Sequence, residues 1–219
     1  MVAGKRNTAK GLQALINAKN IVAESFIDAL IYATTPTDLD AEESLSPLEE
    51  DFVGNWPNTA DHLPAKSKEP SERPAEDFVP NVERARVFEG YTFIFFDQLQ
   101  FETLHAPIAN GAGKALYHEL DSGKTTSDDI VLYVKSVAGE KGLGEFEDGS
   151  EGKGVVVVKF RSKEHPEWAA QMDYQVAQAL DHRLIEQSEF LDAILNNDAS
   201  MLRRPLLPND DESVLSLSF

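Results

Sequence analysis

Several short runs carry residue types that do chemistry, and each lacks a partner that the chemistry requires. Gly123-Lys124-Thr125 reads like the end of a phosphate-binding loop, where backbone N–H groups and a lysine cradle the phosphates of a nucleotide. That loop needs a glycine five residues before Gly123, and His118 stands there. Gly111-Ala112-Gly113 begins a dinucleotide fingerprint but has Leu116 at the third glycine position. His118, Glu119 and Asp121 are types that ligate metals, but on a strand His118 and Glu119 point to opposite faces and cannot converge. His105 and His182 have no acid or nucleophile at a telling spacing, and no nucleophile elbow or zinc motif occurs. Asp97 after one strand and Lys159 on a later one suggest a phosphotransfer receiver, but the helical order around them does not fit. No catalytic residue, metal site or cofactor is expected.

Bulk properties narrow the class further. The chain has 219 residues and 42% hydrophobic content, enough for one or two small cored domains. Its net charge of −18 repels phosphate backbones, so direct nucleic-acid binding is not expected. There are no cysteines, hence no disulfides or thiolate metal sites, in keeping with a reducing compartment. No window reaches ~18 consecutive apolar residues, so no membrane span is expected. The first thirty residues do not read as a signal peptide, because Lys19, Glu24 and Asp28 interrupt them.

The elements follow from hydrophobic periodicity. Thr8 caps a helix over 8–18 with Leu12, Leu15 and Ile16 on one face. Ile21-Val22 is a minimal strand. A second helix over 25–33 carries Phe26, Ile27, Leu30 and Ile31 on its apolar face, with Ser25 and Asp28 spaced as a weak capping box. Residues 34–86 are acidic and proline-rich and read as a linker with little regular structure, pinned to a folded surface by Leu48, Phe52, Trp56 and Phe78. Tyr91–Phe96 is a continuous β-prone run suited to a central strand. Phe101, Leu104 and Ile108 mark a helix ended by Asn110-Gly111. Ala115–Tyr117 is the next strand, and Ser127-Asp128-Asp129 starts a helix with Ile130, Val131, Val134 and Val137. Residues 139–153 read as a loop, whose acidic stretch 140–151 is a solvated excursion or an electrostatic dock for a basic partner. Val155–Val158 is a strand. Trp168, Met172, Val176 and Ala179 stripe a longer helix, Leu184-Ile185 is a strand, and Phe190, Leu191, Ile194 and Leu195 form a last helix. A polar tail follows Arg203.

Strands separated by helices predict an α/β fold with a small parallel sheet and helices on both faces. The last three elements repeat the first three. Ile21-Val22-Ala23-Glu24-Ser25 before Phe26-Ile27-Asp28-Ala29-Leu30 parallels Leu184-Ile185-Glu186-Gln187-Ser188 before Phe190-Leu191-Asp192-Ala193-Ile194. Each follows a helix containing Ala-Leu, at Ala14-Leu15 and Ala179-Leu180. This is the signature of a duplicated domain whose first copy lacks its opening strands.

Helix, short strand, then a helix with a buried aromatic resembles the close of a BRCT repeat, with Phe26 and Phe190 in place of the usual tryptophan. Arg6–Leu15 and Val87–Phe95, with the pair Gly111 and Gly113, resemble the fungal members of the nibrin family. The resemblance covers nearly all of residues 5–207. It implies a three-layer BRCT fold with one complete repeat plus the C-terminal half of a preceding one. The divisions are 1–33 for the half repeat, 34–86 for the linker, 87–203 for the second repeat and 204–219 for the tail. It further implies a non-catalytic, nuclear adaptor of double-strand-break repair and the damage checkpoint, with protein partners that include phosphorylated Ser/Thr peptides. Through the parent protein these partners extend to the subunits of the MRN complex. The family also has an FHA domain, a complete first repeat and a C-terminal motif for the nuclease subunit, which this sequence lacks; it reads as a fragment.

The resemblance places Lys10 at the family's phosphate-binding lysine, with Thr8 supporting it and Arg6 adding charge. The physics is charge-assisted hydrogen bonding at a helix N-terminus. The bland reading makes Thr8 a cap and Lys10 a solvated surface residue. The family's hydroxyl and glycine fall on the missing strand and loop, so the pocket is half built. The second repeat has Glu164, Pro166 and Glu167 at the equivalent helix start, where acids repel phosphate. The competing reading is a purely structural BRCT pair that supports an upstream FHA domain without binding phosphate.

Overall fold

The computed structural model describes residues 1–38, 44–67, 69, 71–121, 124–139, 154–162 and 164–206. Its centre is a three-stranded parallel sheet of β1 (Thr92–Phe95), β2 (Lys114–Tyr117) and β3 (Val155–Val157) in the order β2-β1-β3. Thr92 registers with Lys114 on one side and Val155 on the other. Ile185 extends the sheet beside Val158 as a parallel bridge.

The continuous apolar runs of β1 and β3 send alternate side chains to two cores. Phe93, Phe95, Val156 and Val158 face one core, closed by α1 (Ala9–Ile16), α4 (Gln98–Asn110) and α7 (Glu189–Asn196). Ile94, Phe96, Val155 and Val157 face the other, closed by α5 (Ser127–Ala138) and α6 (Pro166–Leu180). Leu180, rather than Ala179, ends the buried stripe of α6. Thr126 and Asp129 form a full capping box at the head of α5. Gly113 lets the α4–β2 turn approach Phe88, since a Cβ there would lie 2.7 Å from the Phe88 Cβ. Phe88 in turn meets Phe93 and Phe190 edge-on in the first core.

The N-terminal elements repeat the geometry of the C-terminal ones. Val2 pairs with Val22 in a parallel bridge, as Val158 pairs with Ile185. The hydrogen bonds also correspond. Ala3 donates to Val22 and Val22 to Met1, just as Lys159 donates to Ile185 and Ile185 to Val157. The half-turns that follow lead into α2 (Ser25–Thr34) and α7 respectively. Burial differs sharply between the two. Phe190, Leu191, Ile194 and Leu195 of α7 are all buried, while Ile27 and Ile31 of α2 are 39% and 58% exposed. Ser25 does not cap α2; its hydroxyl meets Nδ1 of His62 at 3.0 Å.

The segment read as a linker is more ordered than its composition suggests. It contains α3 (Pro47–Glu50), closed by a Ser46–Glu49 capping box, and three one-turn 3-10 helices at Thr59–His62, Ala75–Phe78 and Val82–Arg86. Leu48 and Phe78 are buried and pin it, whereas Phe52 and Trp56 are 64% and 46% exposed and do not. Polar contacts complete the strap. Ser71 and Arg73 donate to the buried carboxylate of Asp192, and Arg84 donates to the backbone carbonyls of Val79, Asp77 and Leu195. The acidic loop 140–151 lies outside the described residues, as does the tail beyond residue 206.

Candidate functional site

Thr8 sits in extended backbone ahead of α1, and its Oγ1 accepts the N–H of Gly11 at 3.1 Å. That leaves the N–H groups of Ala9 and Lys10 uncommitted among the described residues, at the positive end of the helix. Lys10 is exposed on this first turn and forms no ion pair among the described residues. Gly11 is required behind it, because any side chain would collide with the Arg6 carbonyl.

Arg6 does not join Lys10 and Thr8. Its guanidinium makes a two-pronged contact with Glu69, Nε to Oε1 at 2.7 Å and Nη2 to Oε2 at 2.8 Å, with both side chains almost fully buried. The same guanidinium lies 4.5 Å above the Phe78 ring. Such a planar, doubly bonded geometry with a stacked aromatic suits arginine and is a structural use of it. The structure therefore brings Thr8 and Lys10 together on the surface and turns Arg6 inward.

A cleft of about 840 Å³ opens beside the head of α1. It is lined by Lys5, Thr8 and Leu12, by Lys66 of the strap, by Leu99, Gln100 and Thr103 of α4, and by Arg161, Glu186 and Ser188. Cations and apolar side chains thus line the same trough. Leu99 is 72% exposed there, an apolar group with nothing packed over most of it. Asp97 and Glu186 moderate the charge; Glu186 is held by Arg161 at 3.0 Å and Lys159 at 3.7 Å. Behind this rim Asp173 of α6 is largely buried. Desolvation pushes its carboxyl up to about 7, against the pull of Lys159 and a bond from the Phe160 backbone. The cleft was not readable from the sequence, because its walls come from segments far apart in the chain.

The other chemistry-bearing residues are occupied elsewhere. His118 stacks on Tyr133 with centroids 4.0 Å apart, and Asp121 accepts from Lys124 at 2.7 Å. His182 contacts Arg203 at 2.9 Å, and burial lowers its pKa. Among the described residues no group of three His, Asp or Glu is placed to hold a metal, and no helix is long and apolar enough to cross a membrane.

Residues 82–205, more than half of the chain, match the family described as the second BRCT domain on Nijmegen syndrome breakage protein. Among solved structures, the crystal structure of the S. pombe Brc1 BRCT5-BRCT6 domains is similar at 10% identity and a TM-score of 0.42. That match covers 92% of this chain and 80% of the other.

Proposed function

Because this chain belongs to the family of the second BRCT domain of nibrin, a protein-interaction module, we propose that it recognises phosphorylated Ser/Thr peptides as part of a nuclear adaptor for double-strand-break repair and the damage checkpoint. Residues 1–33 are, on this reading, the closing half of a first BRCT repeat packed on the second. The observation that carries it is the exposed, unpaired Lys10 on the capped first turn of α1, beside a cleft that offers both cations and apolar surface. The lysine and the free N–H groups would hold the phosphate, and the exposed Leu99 would take an apolar side chain of the same peptide. Its partners would be protein segments, with subunits of the MRN complex reached through the parent protein.

Fluorescence titration of this chain, and of its parent, with phosphorylated and unmodified peptides tests the reading. Phosphorylation should tighten binding, and Lys10→Glu should remove roughly tenfold to a hundredfold in affinity, the worth of one charge-assisted contact and its reversal. Equal affinity for both peptides would sink it.

One observation favours a second reading. Arg6 is spent on Glu69 and Phe78, so the head of α1 is also a joint that fastens the strap. A purely structural pair, holding a neighbouring FHA domain without binding phosphate, would leave Lys10→Glu without effect on any partner.

A further inference from the structure

The surface around α3 is apolar and carries one sign of charge. Tyr32, Leu45, Phe52, Val53 and Trp56 are 76%, 51%, 64%, 86% and 46% exposed, and α3 packs on α2 between them. Phe52 and Trp56 form a tilted ring pair with centroids 5.4 Å apart, so two large rings support each other in solvent. Soluble proteins rarely display such a concentration of aromatic surface without a partner. From Asn20 to Ala65 the chain contains ten Asp and Glu and no Lys or Arg. Asp28, Glu50 and Asp51 are exposed on the same two helices and the turn that follows. Asp28 stands one helical turn before Tyr32, on the same face.

This surface is separate from the cleft, whose lining includes nothing between residues 13 and 65. It is also separate from the face that would complete a first repeat. That face is marked by Phe26, Ile27 and Ile31, the equivalents of buried Phe190, Leu191 and Leu195. Tyr32 falls where α7 has the exposed Asn196, and Phe52, Val53 and Trp56 have no equivalent in the second repeat.

We propose that Tyr32, Phe52, Val53 and Trp56, framed by Asp28, Glu50 and Asp51, form a docking surface for a basic amphipathic segment of a partner protein. Apolar side chains of that segment lie against the Phe52–Trp56 pair, and its Lys or Arg side chains meet the carboxylates around it. No Lys or Arg within this stretch neutralises those carboxylates, and an acidic ligand would meet like charge.

The test uses the full chain and a fluorescein-labelled amphipathic Lys/Leu helix of about 18 residues. Anisotropy should report saturable binding that weakens as salt rises. Unlabelled peptide should shift the Trp56 emission to the blue. Phe52→Ala and Trp56→Ala should each weaken binding about tenfold, as expected for aromatic anchors. Glu50→Lys should weaken it as well, while Leu132→Ala, at an exposed leucine of α5, should not. A Glu/Leu peptide of the same pattern should not bind. The proposal is overturned if that acidic peptide binds equally, or if Phe52→Ala and Leu132→Ala have the same effect. It is equally overturned if sedimentation shows a dimer of this chain that Phe52→Ala dissolves, which would assign the surface to a second copy.

Discussion

Arg6 and Lys10 lie four residues apart and have opposite fates. Arg6 is drawn inward by Glu69, 63 residues away in sequence, while Lys10 is exposed and has no ion pair among the described residues. Removing one partner of a buried pair leaves an uncompensated charge, so Arg6→Ala should destabilise the fold by about 3–5 kcal/mol in urea unfolding. Glu69→Gln should cost a similar amount. The neighbouring pair Lys66–Glu72 is exposed, so its loss should matter little. Asp173 adds a pH signature. Burial raises its folded pKa to about 7, well above the ordinary carboxylate range, so near neutral pH the folded chain holds a proton that the unfolded chain releases. Stability from this group is complete below the unfolded pKa, falls as pH rises toward 7 and levels off above that. Asp173→Asn should therefore stabilise the protein at pH 8.5, by up to about 4 kcal/mol, and have almost no effect near pH 4. A variant equally neutral at both pH values would contradict the buried position.

At the scale of elements, α1 is part of the core of the second repeat. Leu15 and Ile16 are fully buried in the cluster that also holds Phe93 and Phe190. Leu15→Ala should cost about 2–5 kcal/mol, read in a single unfolding transition that includes the sheet. A separate early transition for the N-terminal elements would contradict this packing. Much at this scale was legible in the sequence. The apolar runs of β1 and β3, the capped starts of α1 and α5 and the Asn110-Gly111 stop are local signals, and the elements lie where those signals put them. The short repeat at Ile21-Val22 and Leu184-Ile185 was legible too, and it reappears as matched backbone hydrogen bonds. How much of the apolar face of α2 is covered was not legible, for a physical reason. Periodicity shows that a helix has an apolar face but not whether anything covers it, and on α2 Ile27 and Ile31 face outward. Likewise, linker aromatics look alike in sequence, yet Phe78 is buried under Arg6 while Phe52 and Trp56 stand in solvent.

The whole molecule is a nibrin-type BRCT module with a strap and the N-terminal helix α1 packed on one side of its sheet. Its cleft exists only when five separate stretches of the chain meet. For that reason Thr8 and Lys10 could be singled out from sequence, while Leu99, Lys66 and Arg161 could not. On the proposed reading, the same assembly lets a chain of charge −18 receive an anion. The cations Lys5, Lys10 and Lys66 gather at the head of α1, while residues 20–65 carry none. Amide chemical-shift mapping with a phosphoserine peptide and its unmodified twin tests this account most directly. It predicts shifts at Thr8–Leu12 and Leu99–Thr103 that the phosphorylated peptide produces and that Lys10→Glu abolishes. Identical shifts from both peptides, or shifts that avoid the head of α1, would contradict it.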